Sequence, residues 1–224
     1  MKKHEKRLLP VKNDYKAQME EEIKTFWNNC DLHFSHNIIG GHLKNYDFLT
    51  KSWEESFINK IDFNNKIILD YGIGGAYLGK YLFENKNISF YYGIDISDRS
   101  LKKASQVLGS YRKFKLYNTE NFYNSFNNQI DIIISQACIQ HFPIKDNLDE
   151  FLTKVNNLNA NVIMLQIAHN EKTIFTNKYK NIEDVHRACF TNKSFISEYL
   201  VNYKIDYESP IAKNNYQFLI FTKK

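Results

Sequence analysis

The sequence is short of cysteine, arginine and long apolar runs, and each shortage excludes a class of protein. Its three cysteines, Cys30, Cys138 and Cys189, are odd in number and far apart. No C-x-x-C pair is available for zinc or redox work, and a disulfide framework is not expected. No stretch approaches the roughly 18 uninterrupted apolar residues of a membrane span. The basic N-terminus from Met1 to Tyr15 lacks the apolar centre of a signal peptide. These absences lead to the expectation of a soluble, cytoplasmic protein. The formal charge of +5 is only mildly basic, the lysines are spread along the chain, and arginine is scarce. Without a dense basic run, and with little arginine to read phosphate and guanine, a nucleic-acid partner is not indicated. Internal repeats and low-complexity linkers are also missing.

What is present is a chain of 224 residues, 43% hydrophobic and 25% charged, enough for one sizeable core plus an extension. A helical pattern starts at Asp14, with Met19, Ile23, Phe26 and Trp27 at helical spacing. His33 to His42 is loop-like around Gly40-Gly41, and a second amphipathic segment runs from about Tyr46 to Ile58. From Asn64 short apolar runs alternate with polar helical segments, the signature of repeated βαβ units. Strands are expected at Lys66–Tyr71, Ile88–Ile94, Phe114–Tyr117, Ile130–Ser135 and Asn161–Ile167. After a helix over Asn192–Val201, Tyr203–Glu208 and Tyr216–Thr222 are too closely joined for a parallel crossover and form a hairpin. The expected fold is α/β, a Rossmann-like, seven-stranded, mostly parallel sheet with helices on both faces and an antiparallel C-terminal hairpin. An N-terminal helical extension over residues 1–60 precedes the domain at 61–224.

Two patterns carry chemistry. In Asp70-Tyr71-Gly72-Ile73-Gly74-Gly75-Ala76-Tyr77 a strand runs through glycines into a helix, so the backbone turns tightly at the sheet edge where α/β proteins bind ligands. In Tyr91-Tyr92-Gly93-Ile94-Asp95-Ile96-Ser97 an acid ends the second strand, placed either for ribose hydroxyls or, like Asp98, to cap the next helix. Asp95 is the better placed for ribose and Asp98 for the cap. A dinucleotide fingerprint wants a third glycine where this chain has Tyr77, which counts against a dehydrogenase.

Asp70-x-Gly72-x-Gly74, with Ala76 at the last glycine position, resembles motif I of the class I S-adenosylmethionine (SAM)-dependent methyltransferases. Asp131 to Pro143 resembles the fourth-strand motif of their small-molecule group, and the match runs roughly from Asn64 to Lys224. The resemblance implies SAM as cofactor. It implies that Asp70, Gly72 and Gly74, with Tyr77 beside them, surround its methionine part and that Asp95 holds the ribose. Ile96 would pack on the adenine, and Asn118, Thr119 and Glu120 would flank it. Ser135, Gln136 and Ala137 would line the methyl side.

Methyl transfer needs an aligned acceptor, exclusion of water and, for a hydroxyl, a general base. His141, after the fourth strand, and His169, ending the fifth, are the candidates, each with a structural role as the alternative. Tyr15, His186 and Arg187 are candidates for the acceptor side, Arg187 for a phosphate or carboxylate. The histidines of the 33–42 loop lack partners at metal-ligand spacing, so no metal is expected. That segment, with Tyr15 and Trp27, either folds over the crevice as a lid or only packs beside the sheet. Ser135-Gln136-Ala137-Cys138 is neither the Asn/Asp-Pro-Pro-aromatic turn of amino-group base methyltransferases nor the Pro-Cys of cytosine C5 enzymes. The paired glutamates of protein arginine methyltransferases are missing as well. A small-molecule acceptor, methylated on O or N, follows by elimination. The competing readings are a nicotinamide-dependent Rossmann oxidoreductase and a SAM-binding module without activity.

Overall fold

The structure, a computed structural model, describes residues 12–29, 46–178, 184–185 and 188–224. The expected site residues His186 and Arg187, the His33–His42 loop and Cys30 lie outside the described residues. Two helices, α1 (Lys12–Asn29) and α2 (Tyr46–Ser56), precede the first strand. The alternating part then runs β1 (Ile67–Tyr71), α3 (Tyr77–Asn85), β2 (Phe90–Asp95), α4 (Asp98–Leu108), β3 (Phe114–Asn118), α5 (Thr119–Ser125) and β4 (Ile132–Ser135). It continues with α6 (Lys145–Leu158), β5 (Val162–Ala168), β6 (Ile174–Phe175), β7 (Cys189–Phe190), α7 (Lys193–Tyr199), β8 (Tyr203–Glu208) and β9 (Tyr216–Lys223).

Seven of these strands form one sheet in the order β3-β2-β1-β4-β5-β9-β8. Pairing is parallel from β3 to β5, and β9 runs antiparallel between β5 and β8. This is the expected Rossmann-like methyltransferase sheet. Strand order reverses between β1 and β4, which places the crevice for a ligand beyond their carboxyl ends.

The sheet is buried on both faces, as a parallel sheet flanked by helices must be. Alternate residues of each strand feed different cores. Leu69, Tyr71, Ile133 and Leu165 pack with α5, α6 and α7 through Phe122, Phe151 and Ile196. Ile68, Ile132, Ile134 and Met164 pack with α2, α3 and α4 through Trp53, Leu82 and Leu108. A third, smaller cluster seats the apolar stripe of α1, Met19, Ile23 and Trp27, on Ile144, Val185 and Ala188.

Several details differ from the sequence reading. Ser97, not Asp98, caps α4: its side-chain oxygen accepts from the Ser100 N–H at 3.2 Å, and Asp98 falls in the first turn. The segment after β3 is helical at once, because the Asn118 side chain caps α5 through the Asn121 N–H at 2.8 Å. With seven residues and Phe122 alone fully buried, α5 is too short for periodicity to reveal. The two-residue ladder β6–β7 is likewise below the length at which alternation can be read.

The turn after β1 demands unusual backbone. Gly72 has φ +82 and Gly74 φ +51, and Ala76, the residue before α3, has φ +60. A Cβ on Gly72 would lie 2.5 Å from Cys138 Cβ and Sγ, so that position excludes a side chain twice over. Ala76 holds the left-handed conformation against its own Cβ. Ala76→Gly is expected to stabilise the fold by roughly 0.5–1 kcal/mol, read as a higher urea midpoint at unchanged slope; a lower midpoint would contradict the strain argument.

Candidate active site

A cavity of about 460 Å³ opens at the carboxyl ends of β1 to β4 and is covered by α1. Its sheet-side wall is made by Tyr71, Gly72, Asp95, Ile96, Asn118 and Ala137, and Lys16, Glu20, Lys24 and Trp27 of α1 form the roof. A second, smaller cavity of about 30 Å³ lies beside the glycine turn, between Asp70, Tyr77, Gln136 and Trp53 of α2. Gly72 and Ala137 belong to both walls, so the two spaces adjoin at these residues.

Asp95 organises the larger cavity. One carboxylate oxygen accepts the Gly74 N–H and the other the Ser97 N–H, both at 2.9 Å. An ionised carboxylate has about four lone-pair sites, so this clamp leaves acceptor capacity for hydroxyl groups in the cavity. Burial raises the Asp95 carboxyl to about 6 against the opposing pull of the backbone N–H groups of Ser97, Gly74 and Ile96. Asp70, 4% exposed, accepts the Tyr91 hydroxyl at 2.5 Å. Burial raises it to about 7; the Tyr91 hydrogen bond acts the other way, and the Asp95 charge adds to the rise. Tyr91 reaches Asp70 across α3 only because that helix carries a glycine: a Cβ on Gly79 would sit 2.6 Å from the Tyr91 ring. The close helix–strand packing that a third fingerprint glycine supplies is thus provided by Gly79, two residues beyond Tyr77.

His141 ends a short 3₁₀ turn after β4 and lines the large cavity. Its Nδ1 lies 2.8 Å from the Val185 carbonyl oxygen, and its ring meets Trp27 edge-on at 5.1 Å. A carbonyl can only accept, so Nδ1 carries the proton and Nε2 is the basic nitrogen. Cys138 lines the same wall, but burial pushes its thiol far up, with the Asp95 charge adding to the effect. It stays protonated and offers no nucleophile.

The large cavity brings together Gly72, Asp95, Ile96, Asn118, Thr119, Glu120, Ala137 and His141 from the sequence-derived set. The small one gathers Asp70, Tyr77 and Gln136. Gly74 lines neither and acts through Asp95. Ser135 lines neither: wholly buried, its Oγ donates to the Tyr71 carbonyl at 3.1 Å and ties β4 to β1. His169 lies at the end of β5, bridged to Thr191, outside both cavities, its Nδ1 buried without a hydrogen-bond partner. Tyr15 is exposed, donates its hydroxyl to the Asn177 carbonyl at 3.3 Å, and lines neither cavity. Asn118 spends its side-chain oxygen on the α5 cap.

Residues that sequence reasoning missed include Tyr71 and Tyr123, whose hydroxyls pair at 3.0 Å in the large cavity, and Glu150 on α6, ion-paired to Lys16 on the roof. Gln166 on β5, 8% exposed, accepts the Ala137 N–H at 3.0 Å and so sets the loop between the cavities. None carries a local signature, because each is defined by what another element places opposite it.

The raised carboxyls fix the sign of a pH effect. Asp95 at about 6 binds its proton more tightly when folded than in the unfolded chain, near 3.9. Its contribution therefore favours folding at low pH and is lost as pH rises through about 6. Measured by urea unfolding, the stability of wild type relative to Asp95→Asn is expected to fall between pH 4.5 and 7.5; a difference independent of pH would place Asp95 in the ordinary carboxylate range.

A family model described as "Methyltransferase domain" matches residues 62–217. No curated protein matches the sequence significantly. Among solved structures, the magnesium protoporphyrin IX methyltransferase from Synechocystis, with S-adenosylhomocysteine (SAH) bound, is 17% identical at a TM-score of 0.58, covering 96% of this chain and 98% of that one. The N-methyltransferase NodS from Bradyrhizobium japonicum, in complex with SAH, is 12% identical at a TM-score of 0.59, covering 93% and 98%. The small RNA methyltransferase HEN1 is 19% identical at a TM-score of 0.55; the match covers 81% of this chain and only 25% of that one. At such identities the likeness carries the fold, while the family model spans more than half of the chain. The chain belongs to the methyltransferase-domain family, the class I SAM-dependent methyltransferases of Rossmann-like fold.

Proposed function

We propose that the protein transfers a methyl group from SAM to an oxygen or nitrogen atom of a small-molecule acceptor. The observation that carries this reading is the covered cavity and its charge. The larger cavity is roofed by α1, and among its described lining residues Asp95, Glu20, Glu21, Glu120 and Glu150 outnumber Lys16 and Lys24. A polyanion needs the opposite balance, because phosphate contacts supply most of its affinity. The acidic lining suits the positive sulfonium of SAM and an uncharged or cationic acceptor.

The residues present fit the cofactor. Asp95 retains acceptor capacity for ribose hydroxyls, Ile96 offers an apolar side to a base, and Gly72 puts bare backbone on the walls of both cavities. SAM, when bound, supplies a methyl group already activated by its sulfonium. The protein's part is then positioning and dryness. The α1 roof excludes water, held by Lys16–Glu150 and by the Ser97 hydroxyl donating to the Trp27 carbonyl at 3.2 Å. His141 Nε2 takes the acceptor's proton, while the Nδ1 contact to Val185 fixes the ring.

Calorimetric titration separates the donors: SAH is expected to bind and NAD not, and the converse would restore the oxidoreductase reading. SAH affinity is expected to fall as pH drops from 7.5 to 5.5, because protonation of Asp70 and Asp95, at about 7 and 6, removes acceptors. Incubation with SAM and separate sets of small amines and alcohols, RNA and protein should yield SAH with a small molecule. Turnover with RNA or protein alone would replace the acceptor class, and no turnover would favour a binding module. His141→Asn keeps a donor for Val185 and removes the basic nitrogen. With the acceptor found, kcat is expected to fall by about 10²–10⁴ at near-unchanged SAH affinity; an unchanged kcat would remove His141 as the base.

A further inference from the structure

Trp53, in the second helix before the sheet, packs in the core with its polar atom unspent. The side chain is 4% exposed, lines the small cavity beside the glycine turn, and is flanked by the Tyr46 and Tyr81 rings at 6.5 and 6.0 Å. Its Nε1 is buried and has no hydrogen-bond partner. An indole N–H is a donor only, and buried donors are almost always paired. The same small cavity is walled by Asp70, an acceptor when ionised. Trp53 and the acidic Asp70 therefore line one space of about 30 Å³, room for about two water-sized groups at the roughly 10–15 Å³ that one requires. That space shares Gly72 and Ala137 as walls with the large cavity.

We infer that Trp53 is a cofactor-positioning residue: its Nε1–H donates to the carboxylate of the amino-acid end of SAM, whose ammonium group faces Asp70. The inference rests on the SAM reading above and deepens it by naming a residue from outside the glycine motif. The charges sort the two ends. A donor without acceptor capacity selects the carboxylate, and a buried carboxyl repels it and attracts the ammonium. The larger nucleoside end belongs to the larger cavity, where Asp95, Ile96 and Asn118 lie. Helix α2 would then hold the cofactor as well as cover the sheet, and the orphaned indole N–H gains its partner only on binding.

Two ligands distinguish this role from packing: SAH, which has the amino-acid end, and 5′-methylthioadenosine, which lacks it. By calorimetry, Trp53→Phe, which keeps an aromatic ring and removes the N–H, is expected to weaken SAH about 10-fold or more. It should leave 5′-methylthioadenosine affinity within twofold of wild type, which also reports that the variant is folded. Unchanged SAH affinity, or equal weakening of both ligands, would overturn the inference. A second measurement needs no variant at Trp53. In 15N-labelled wild-type protein, the Trp53 indole resonance, told from that of Trp27 with Trp27→Phe, is expected to shift downfield with SAH and not with 5′-methylthioadenosine. An equal shift with both ligands, or none, overturns it as well. Wild type that binds neither ligand would instead sink the SAM reading.

Discussion

Two backbone N–H groups, from Gly74 after β1 and Ser97 before α4, converge on the carboxylate of Asp95. This clamp holds the glycine turn against the end of β2, and the cavity takes its shape from it. Gly72 and Ile73 reinforce it by donating to the Ile94 carbonyl at 2.8 and 2.9 Å. The left-handed conformations at Gly72, Gly74 and Ala76 follow from bending the chain tightly enough to reach it. Burying a carboxylate is costly unless its lone pairs are used, and here the backbone uses part of them. The carboxyl is raised but still ionises near neutrality, so the group that ties the turn keeps acceptor capacity at the wall of the cavity.

The charges that line the site are negative in balance. Asp70 and Asp95 are both buried, and the Asp95 charge contributes to holding Asp70 up to about 7. Around them the carboxylates of α1, α5 and α6 outnumber the two lysines of the roof. Such an arrangement is expensive when empty and is relieved by a cation. It suits a sulfonium donor, and it opposes the phosphates that a chain of net charge +5 would attract elsewhere on its surface. The overall basicity thus says little about the chemistry at the site.

Helix α1 lines the large cavity and helix α2 the small one. The first lies over the large cavity on an apolar stripe of Met19, Ile23 and Trp27. The second brings Trp53 to the small cavity through the same core that buries Phe57 and Ile68. No sequence pattern separates these roles. A Trp at helical spacing reads as core, and the difference between a packed ring and an unpartnered indole N–H appears only when its neighbours are in place.

The sequence by itself determined the strands, their parallel order of connection and the closing hairpin, because burial on both faces writes apolar runs such as Ile67–Leu69 and Ile132–Ile134 directly into the chain. It also determined the glycine turn and Asp95, since tight backbone and a strand-end acid are local demands. Tertiary structure alone decided which groups converge. His141 comes to the cavity while His169, equally placed by strand-end reasoning, does not. Ser97 takes the cap expected of Asp98 because its hydroxyl, not the neighbouring carboxylate, reaches the Ser100 N–H. Gly79 does the packing work of a missing third glycine because Tyr91 crosses there to Asp70. Each of these depends on side chains distant in sequence sharing a few ångströms of space, and a linear pattern holds no record of that.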